Sequence, residues 1–278
     1  LMVRSLYTAA TGMMAQQTNV DTIANNLSNV NTVGYKEEVA SFKTLLYQNL
    51  QTATTSANGE EKPVSAQVGL GSRISAITSQ YTQGALNASD SNTDFAIAGD
   101  GFFAIENPNP TGDGTDDTLY TRNGNFYFAV GTDGVMLSTQ DGYAVLSSDG
   151  QPIVFDAQYD ASKLSIDAEG NIMYPDENNN AQSTGVKIGV YQFTNPSGLD
   201  KTGDSYLMAT DASGIALNED VDAVAKKSVL KQNYLEASNV NVATEMVNLI
   251  TAQRAYELCS KAITTSDTMM EQANNLKR

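Results

Sequence analysis

The sequence predicts an α+β fold in which N- and C-terminal helices pair as a coiled coil and a β-rich middle domain is inserted between them. Three observations predict it: apolar residues at heptad spacing near both ends, Gly-containing turn pairs at short intervals in the middle, and an acidic excess confined to that middle.

Residues 1–34 form the first element, an N-terminal helix with an appended motif. Val3, Leu6, Ala10, Met13, Gln17, Val20, Ala24 and Leu27 fall at alternating spacings of three and four, a coiled-coil seam with one polar member, Gln17. At 1.5 Å per residue such a helix is roughly 40 Å long. Residues 35–93 follow as a linker or extended region, because Gln51–Gln67 is rich in Thr, Ser, Ala and Gly and has no apolar period.

Residues 94–220 form the acidic β-rich domain. Phe95, Ile97, Phe102, Phe103 and Ile105 open it. Turn pairs at Asn123-Gly124, Asp133-Gly134, Asp141-Gly142 and Asp149-Gly150 then separate short apolar runs, which reads as hairpins. Val186, Ile188, Val190, Tyr191 and Phe193 continue the domain after the Asp, Glu and Asn-rich loop at Pro175–Asn180. Residues 221–278 are a return segment and the C-terminal helix. Its seam runs Val242, Met246, Leu249, Ala252, Tyr256, Cys259, Ile263, Ser266, Met270 and Ala273, and no Gly or Pro occurs from Val242 to Arg278. This helix is about 50 Å long by the same rise, so the two can pair along most of the shorter one.

The 278 residues carry 32 Asp and Glu against 16 Lys and Arg, a net charge of -16. Residues 1–93 hold 6 acids and 5 bases, residues 94–220 hold 20 and 4, and residues 221–278 hold 6 and 7. The near-neutral ends can crowd against copies of themselves, whereas the middle repels its copies. The acidic balance also excludes nucleic acid and anionic membrane surfaces as partners.

Enzymatic chemistry is thinly supplied. The chain has no His, which removes Ser-His-Asp triads, Cys-His dyads and HExxH zinc sites. The single Cys259 can form neither an internal disulfide nor a CxxC pair, and it lies on the helical seam as a buried thiol. A two-carboxylate glycan hydrolase is the remaining enzymatic option, but Asp133, Asp141 and Asp149 each precede a Gly, where an Asp simply supports the turn. Gly112-Asp113-Gly114-Thr115-Asp116 partly matches one copy of a calcium nonapeptide whose architecture needs stacked copies, and reads as a solvated hairpin loop. Met13, Met14, Met246, Met269 and Met270 read as helix packing, and Arg254 with Glu257 as an exposed pair. No cofactor, no metal and no small-molecule substrate are expected. No apolar run is long enough to span a bilayer, and Thr8, Thr11, Gly12, Gln16 and Gln17 interrupt the first segment, so no cleaved signal peptide is expected.

Two stretches go beyond periodicity. SLYTAATGMMAQQTNVDTIANNLSNVNTVGYK, with Asn25, Asn26, Asn29, Gly34, Tyr35 and Lys36, resembles the start of bacterial flagellar axial proteins, the rod and hook family. YLEASNVNVATEMVNLITAQRAYELCSKAITTSDTMM, with Ser238, Asn239, Gln253, Arg254, Tyr256 and Glu257, resembles the closing helix of the same family. The blocks DFAIAGDGFFAIEN and LYTRNGNF are similar to its rod and hook members, and FKTLLYQNL is most similar to the distal rod subtype, whose length also fits.

The resemblance implies a structural subunit, not an enzyme, that polymerises with itself into a helical tube transmitting torque from motor to hook. The terminal helices would order on assembly and line the channel, with the seam residues as the interface. Partners implied are other rod proteins, the hook protein, the flagellar type III export apparatus and bushing rings. The place implied is the basal body, outside the cytoplasm. In the distal rod subtype the region after the first helix forms an extended stiffening hairpin, which falls here at Leu45 to about Gly84. A proximal-rod or hook subunit is the alternative within the family. A secreted acidic glycan-binding or glycan-cleaving protein with a helical stalk is the alternative outside it, and it leaves the paired terminal motifs unexplained.

Overall fold

The computed structural model describes residues 2–51, 66–108, 118–130, 134–155, 164–175, 181–222 and 226–276. The Gly112–Asp116 motif and most of Gln51–Gln67 and Pro175–Asn180 lie outside the described residues. The chain forms two units, one of residues 1–28, 38–79 and 241–278, the other of residues 29–37 and 80–240. Helices stand at the two ends of the chain and strands fill the middle, as an α+β fold requires.

The first unit contains helix α1 (Met2–Ser28), helix α2 (Val242–Asn275) and a two-stranded ribbon. In the ribbon Glu38–Thr44 pairs antiparallel with Ser72–Ser79, and Tyr47–Gln51 with Ala66–Gly69. Where the ribbon meets α1, Gly71 sits at φ +115°, and a Cβ there would stand 2.1 Å from Thr11 Oγ1. Only glycine allows that approach. α2 starts at Asn241, whose side chain accepts from the Ala243 and Thr244 amides and so satisfies two orphan donors of the first turn.

The second unit is built on a six-stranded antiparallel sheet in the spatial order Asp200–Gly203, Tyr206–Met208, Thr118–Thr121, Phe102–Glu106, Val190–Gln192, Leu217–Asn218. Both faces of Phe102–Glu106 are covered. Phe103 and Ile105 enter one apolar cluster with Phe126, Val145, Ile153 and Ile188, while Phe102 and Ala104 enter a second with Tyr120 and Phe193. The alternation is the two-residue period of a strand. Among the described residues the unit also holds two three-stranded sheets and two strand pairs, and in the pairs Val229–Gln232 runs against Phe95–Ala98 and Tyr234–Glu236 against Leu86–Ala88.

Two of the four predicted turn pairs, Asp141-Gly142 and Asp149-Gly150, lie at chain reversals, and Asp133 of a third lies outside the described residues. Gly134 precedes a strand paired back on Tyr127–Val130, the Gly142 amide closes on Thr139 O at 3.0 Å, and the Gly150 amide on Ser147 O at 2.9 Å. Asn123-Gly124 is a correction. It joins no hairpin, since Thr118–Thr121 and Tyr127–Val130 belong to different sheets. Gly124 instead accommodates a crossing strand, because a Cβ on it would meet Phe95 O at 1.7 Å.

Candidate functional site

α1 and α2 pack side by side and antiparallel. Ser5 Oγ lies 3.3 Å from Ser266 Oγ, a Cβ on Gly12 would stand 3.2 Å from Cys259 Sγ, and Asn26 Nδ2 donates to Glu245 Oε2 at 2.9 Å. Along both helices these contacts are spaced by seven and then fourteen residues, whole heptads. The side chains are small or polar, and Ala252, between Glu245 and Cys259 in the same row, is buried. Small residues let two helix backbones come close, and the row at 5, 12 and 26 lies one position before the apolar residues at 6, 13 and 27.

The larger side chains of the predicted seams therefore remain accessible. Leu6, Ala10, Met13, Val20 and Leu27 are half-buried, and Gln17 and Ala24 are exposed. Val3 lies in α1, but its side chain is outside the described residues. On α2, Leu249, Ile263 and Met270 are half-buried, whereas Val242, Met246 and Tyr256 are exposed. Val247, Ile250 and Leu258, which the seam omitted, are exposed too. Gln17 and Val20 are brought together with Gln253, Tyr256 and Glu257 around a groove of about 350 Å³.

The motif residues divide between the two units. In the first, Asn26 is buried and acts like a strand residue: its Oδ1 accepts from the Glu38 amide at 2.9 Å and its Nδ2 donates to Glu38 O at 2.8 Å. Asn25 Nδ2 donates to Glu38 Oε2 at 3.3 Å. Glu245, only 2% exposed, accepts from Asn26 and from Asn248, in the first turn of α2 where the helix dipole favours a carboxylate. Arg254 pairs with Glu257 at 3.1 Å on the exposed face, and Gln253 is exposed.

In the second unit Asn29 accepts from Thr32 in a tight turn, and Ser238 Oγ accepts from the Val240 amide. Gly34 adopts φ +70° and donates its amide to Glu236 O, and a Cβ on it would stand 2.7 Å from the Arg122 carbonyl carbon. Tyr35 O accepts from the Asn239 amide. The Asn239 side chain accepts from the Glu37 amide at 2.7 Å and donates to Gln80 O at 2.8 Å and to Thr82 Oγ1 at 2.9 Å. Beside it lies a buried ionic cluster in which Lys36 Nζ reaches Glu236 Oε1 at 2.6 Å and Arg122 reaches Oε2 at 3.4 Å, with side chains 5%, 1% and 3% exposed.

Glu236 Oε1 also accepts from the Gly84 amide, Lys36 donates to Thr82 O, and the Arg122 guanidinium stacks 4.9 Å above Phe102. Burial pulls Lys36 and Arg122 below their ordinary pKa ranges, and the Glu236 carboxylate opposes the shift. Lys36, Arg122 and Glu236 stand inside the sequence motifs, where nothing local gives them a role. The available signal was Arg122, the only base between residues 94 and 162 of the acidic middle.

The described residues hold no group of three or more His, Cys, Asp or Glu arranged to bind a metal, and no described helix is long and apolar enough to cross a membrane. The paired helix unit thus carries accessible apolar residues on its surface.

Comparison with known proteins supplies the family. Residues 6–36 match the model of the flagella basal body rod protein, residues 96–174 that of the flagellar hook protein FlgE/F/G D1 domain, and residues 231–276 that of the flagellar basal body rod FlgEFG protein C-terminal region. The chain is 42% identical to the flagellar basal-body rod protein FlgG of Borreliella burgdorferi, with all of both chains covered. It is 38% identical to FlgG of Bacillus subtilis, again over all of both chains. To FlgG of Caulobacter vibrioides it is 37% identical, over 99% of this chain and all of the other. The motifs at its two ends, the β unit between them and these full-length likenesses together place the chain in the flagellar basal-body rod protein family.

Proposed function

We propose that the chain is the structural subunit of the distal flagellar rod, a self-assembling component of a helical tube that carries torque from motor to hook. It performs no catalysis. The observation that carries the reading is the division of labour on the helices: small residues close α1 onto α2 within one chain, while Met246, Val247, Ile250 and Leu258 stay exposed for neighbouring copies. Burying such side chains gives about 1.5–3 kcal/mol each, enough to order helical surfaces at a growing tip.

In the assembled tube the seams of α1 and α2 form coiled-coil contacts, and the groove at Gln17, Val20, Gln253 and Tyr256 takes apolar side chains of a second copy. The ribbon of the first unit stiffens the shaft. The chain leaves the cytoplasm through the flagellar type III export apparatus, joins other rod proteins below and the hook above, and turns inside bushing rings.

The test is complementation of a motile bacterium lacking its own distal rod subunit, read by electron microscopy of purified basal bodies. Full-length straight rods are expected with the native chain. Basal bodies that stop at the proximal rod while the chain accumulates outside the cytoplasm would refute the assignment. Deleting residues 51–67 is expected to give bent or shortened rods, and unchanged rods would remove the stiffening role.

A further inference from the structure

We propose that residues 228–239 are a late-closing clasp: the β unit stays open until they are available, so its folding is deferred until synthesis has passed them. The inference is independent of what the chain assembles into.

Phe95–Ala98 contributes Phe95 and Ile97 to the main apolar cluster, yet among the described strands its only ladder partner is Val229–Gln232. Leu86–Ala88 likewise pairs only with Tyr234–Glu236. Early residues bond only the other edge of Phe95–Ala98, where the Phe95 amide donates to Gly124 O and Ile97 O accepts from Gln83, so until the late segment arrives both early strands present unpaired backbone along the edge that faces it, a costly state for buried strands. Leu230 fills the same cluster, and its amide donates to Ala168 O at 3.1 Å. Gln232 binds three further points, accepting from the Ile166 amide and donating to Asn92 O and Leu164 O. Ser228 seals the Gly99–Gly101 turn, with Oγ accepting from the Gly101 amide at 3.1 Å.

Electrostatics gives the same order. Lys36 and Arg122 emerge early and are buried in the finished unit, and the carboxylate in contact with both is Glu236, 200 and 114 residues later in the chain. Asp100 attracts both cations without bonding to either. Burying two cations before their carboxylate exists is strongly unfavourable, so the site that would close the unit prematurely is held open and hydrated. Domains ordinarily fold as they emerge, N-terminal parts first. Here the early residues cannot complete a core without the late ones.

The experiment is pulse proteolysis of ribosome-stalled chains that expose the first 228 or the first 240 residues, each followed by a linker long enough to clear the ribosome. Resistance of the β unit at 240 residues, with digestion at 228 at least tenfold faster, is expected. Equal resistance at the two lengths would overturn the proposal. In the complete chain, Glu236→Gln is expected to raise the digestion rate of the β unit at least tenfold and Glu236→Asp to restore part of the loss. A Gln variant as resistant as the native chain would overturn the electrostatic part of the argument. The native-sequence comparison of 228 with 240 residues decides the clasp itself, whatever the variant does.

Discussion

At single residues the fold is most sensitive where backbone and burial leave no alternative. Gly34 combines a left-handed φ with a Cβ direction blocked by the Arg122 backbone, so Gly34→Ala carries about 1–2 kcal/mol of conformational cost before any clash. A fall in melting temperature of about 2–4 °C per kcal/mol is expected in a domain of this size, and calorimetry of the variant checks it; an unchanged midpoint would refute the strain. Tyr120 is a second such position. Burial, reinforced by Tyr191, pushes its phenol up to about 12 from an ordinary 10.0. The folded state thus holds the proton more tightly than the unfolded chain, and the stabilisation is complete below pH 10 and disappears as pH rises towards 12. Two pKa units correspond to about 3 kcal/mol. Denaturant titrations between pH 9 and 12 are expected to show a shallower loss for Tyr120→Phe than for the native chain. Equal slopes would mean that the phenol does not report on folding.

Among the elements, the two helices were legible as helices, and their period was legible as well. What the sequence left hidden was which row of the heptad closes the pair. Ser5, Gly12 and Asn26 look like interruptions beside Leu6, Met13 and Leu27, yet each of them meets a residue of α2 while the apolar row stays half-buried. Apolar periodicity marks where burial will be gained, and in a chain built to associate that gain includes surfaces beyond the chain itself. The β unit divides in the same way. Asp141-Gly142 and Asp149-Gly150 declare local turns, while Gly124 answers to Phe95, a neighbour nothing in its own segment reveals. The Lys36, Arg122 and Glu236 cluster is farther still from local reading, because Lys36 and Arg122 stand 200 and 114 residues from Glu236 along the chain. Leu258, 66% exposed on α2, makes the element-level prediction. Leu258→Asp is expected to change the stability of the isolated chain by no more than about 0.5 kcal/mol while abolishing filaments in electron micrographs. Filaments formed normally by this variant would exclude that face from assembly. Leu6→Asp and Leu27→Asp, on half-buried positions of α1, are expected to lose assembly together with part of the helix pairing.

For the whole molecule, the decisive quantity is where charge and apolar surface lie relative to each other along the chain. The excess of acids sits in residues 94–220, the accessible apolar helix residues in the near-neutral ends. Bringing copies together through the ends therefore crowds acidic middles, and repulsion between them opposes the apolar gain at every addition. Salt acts on only one of these opposing contributions. The screening length falls from about 30 Å at 0.01 M to about 8 Å at 0.15 M, which removes most of the repulsion and leaves apolar burial intact. The concentration of native chain needed for filaments is accordingly expected to fall several-fold across that range, measured by sedimentation of polymer from monomer. Leu258→Asp is not expected to be rescued, because its defect lies in the burial and not in the repulsion. A critical concentration that rises with salt would show instead that ion pairs between copies, not apolar helix faces, hold the polymer together, and would transfer the assembly site from the helices to the charged surfaces.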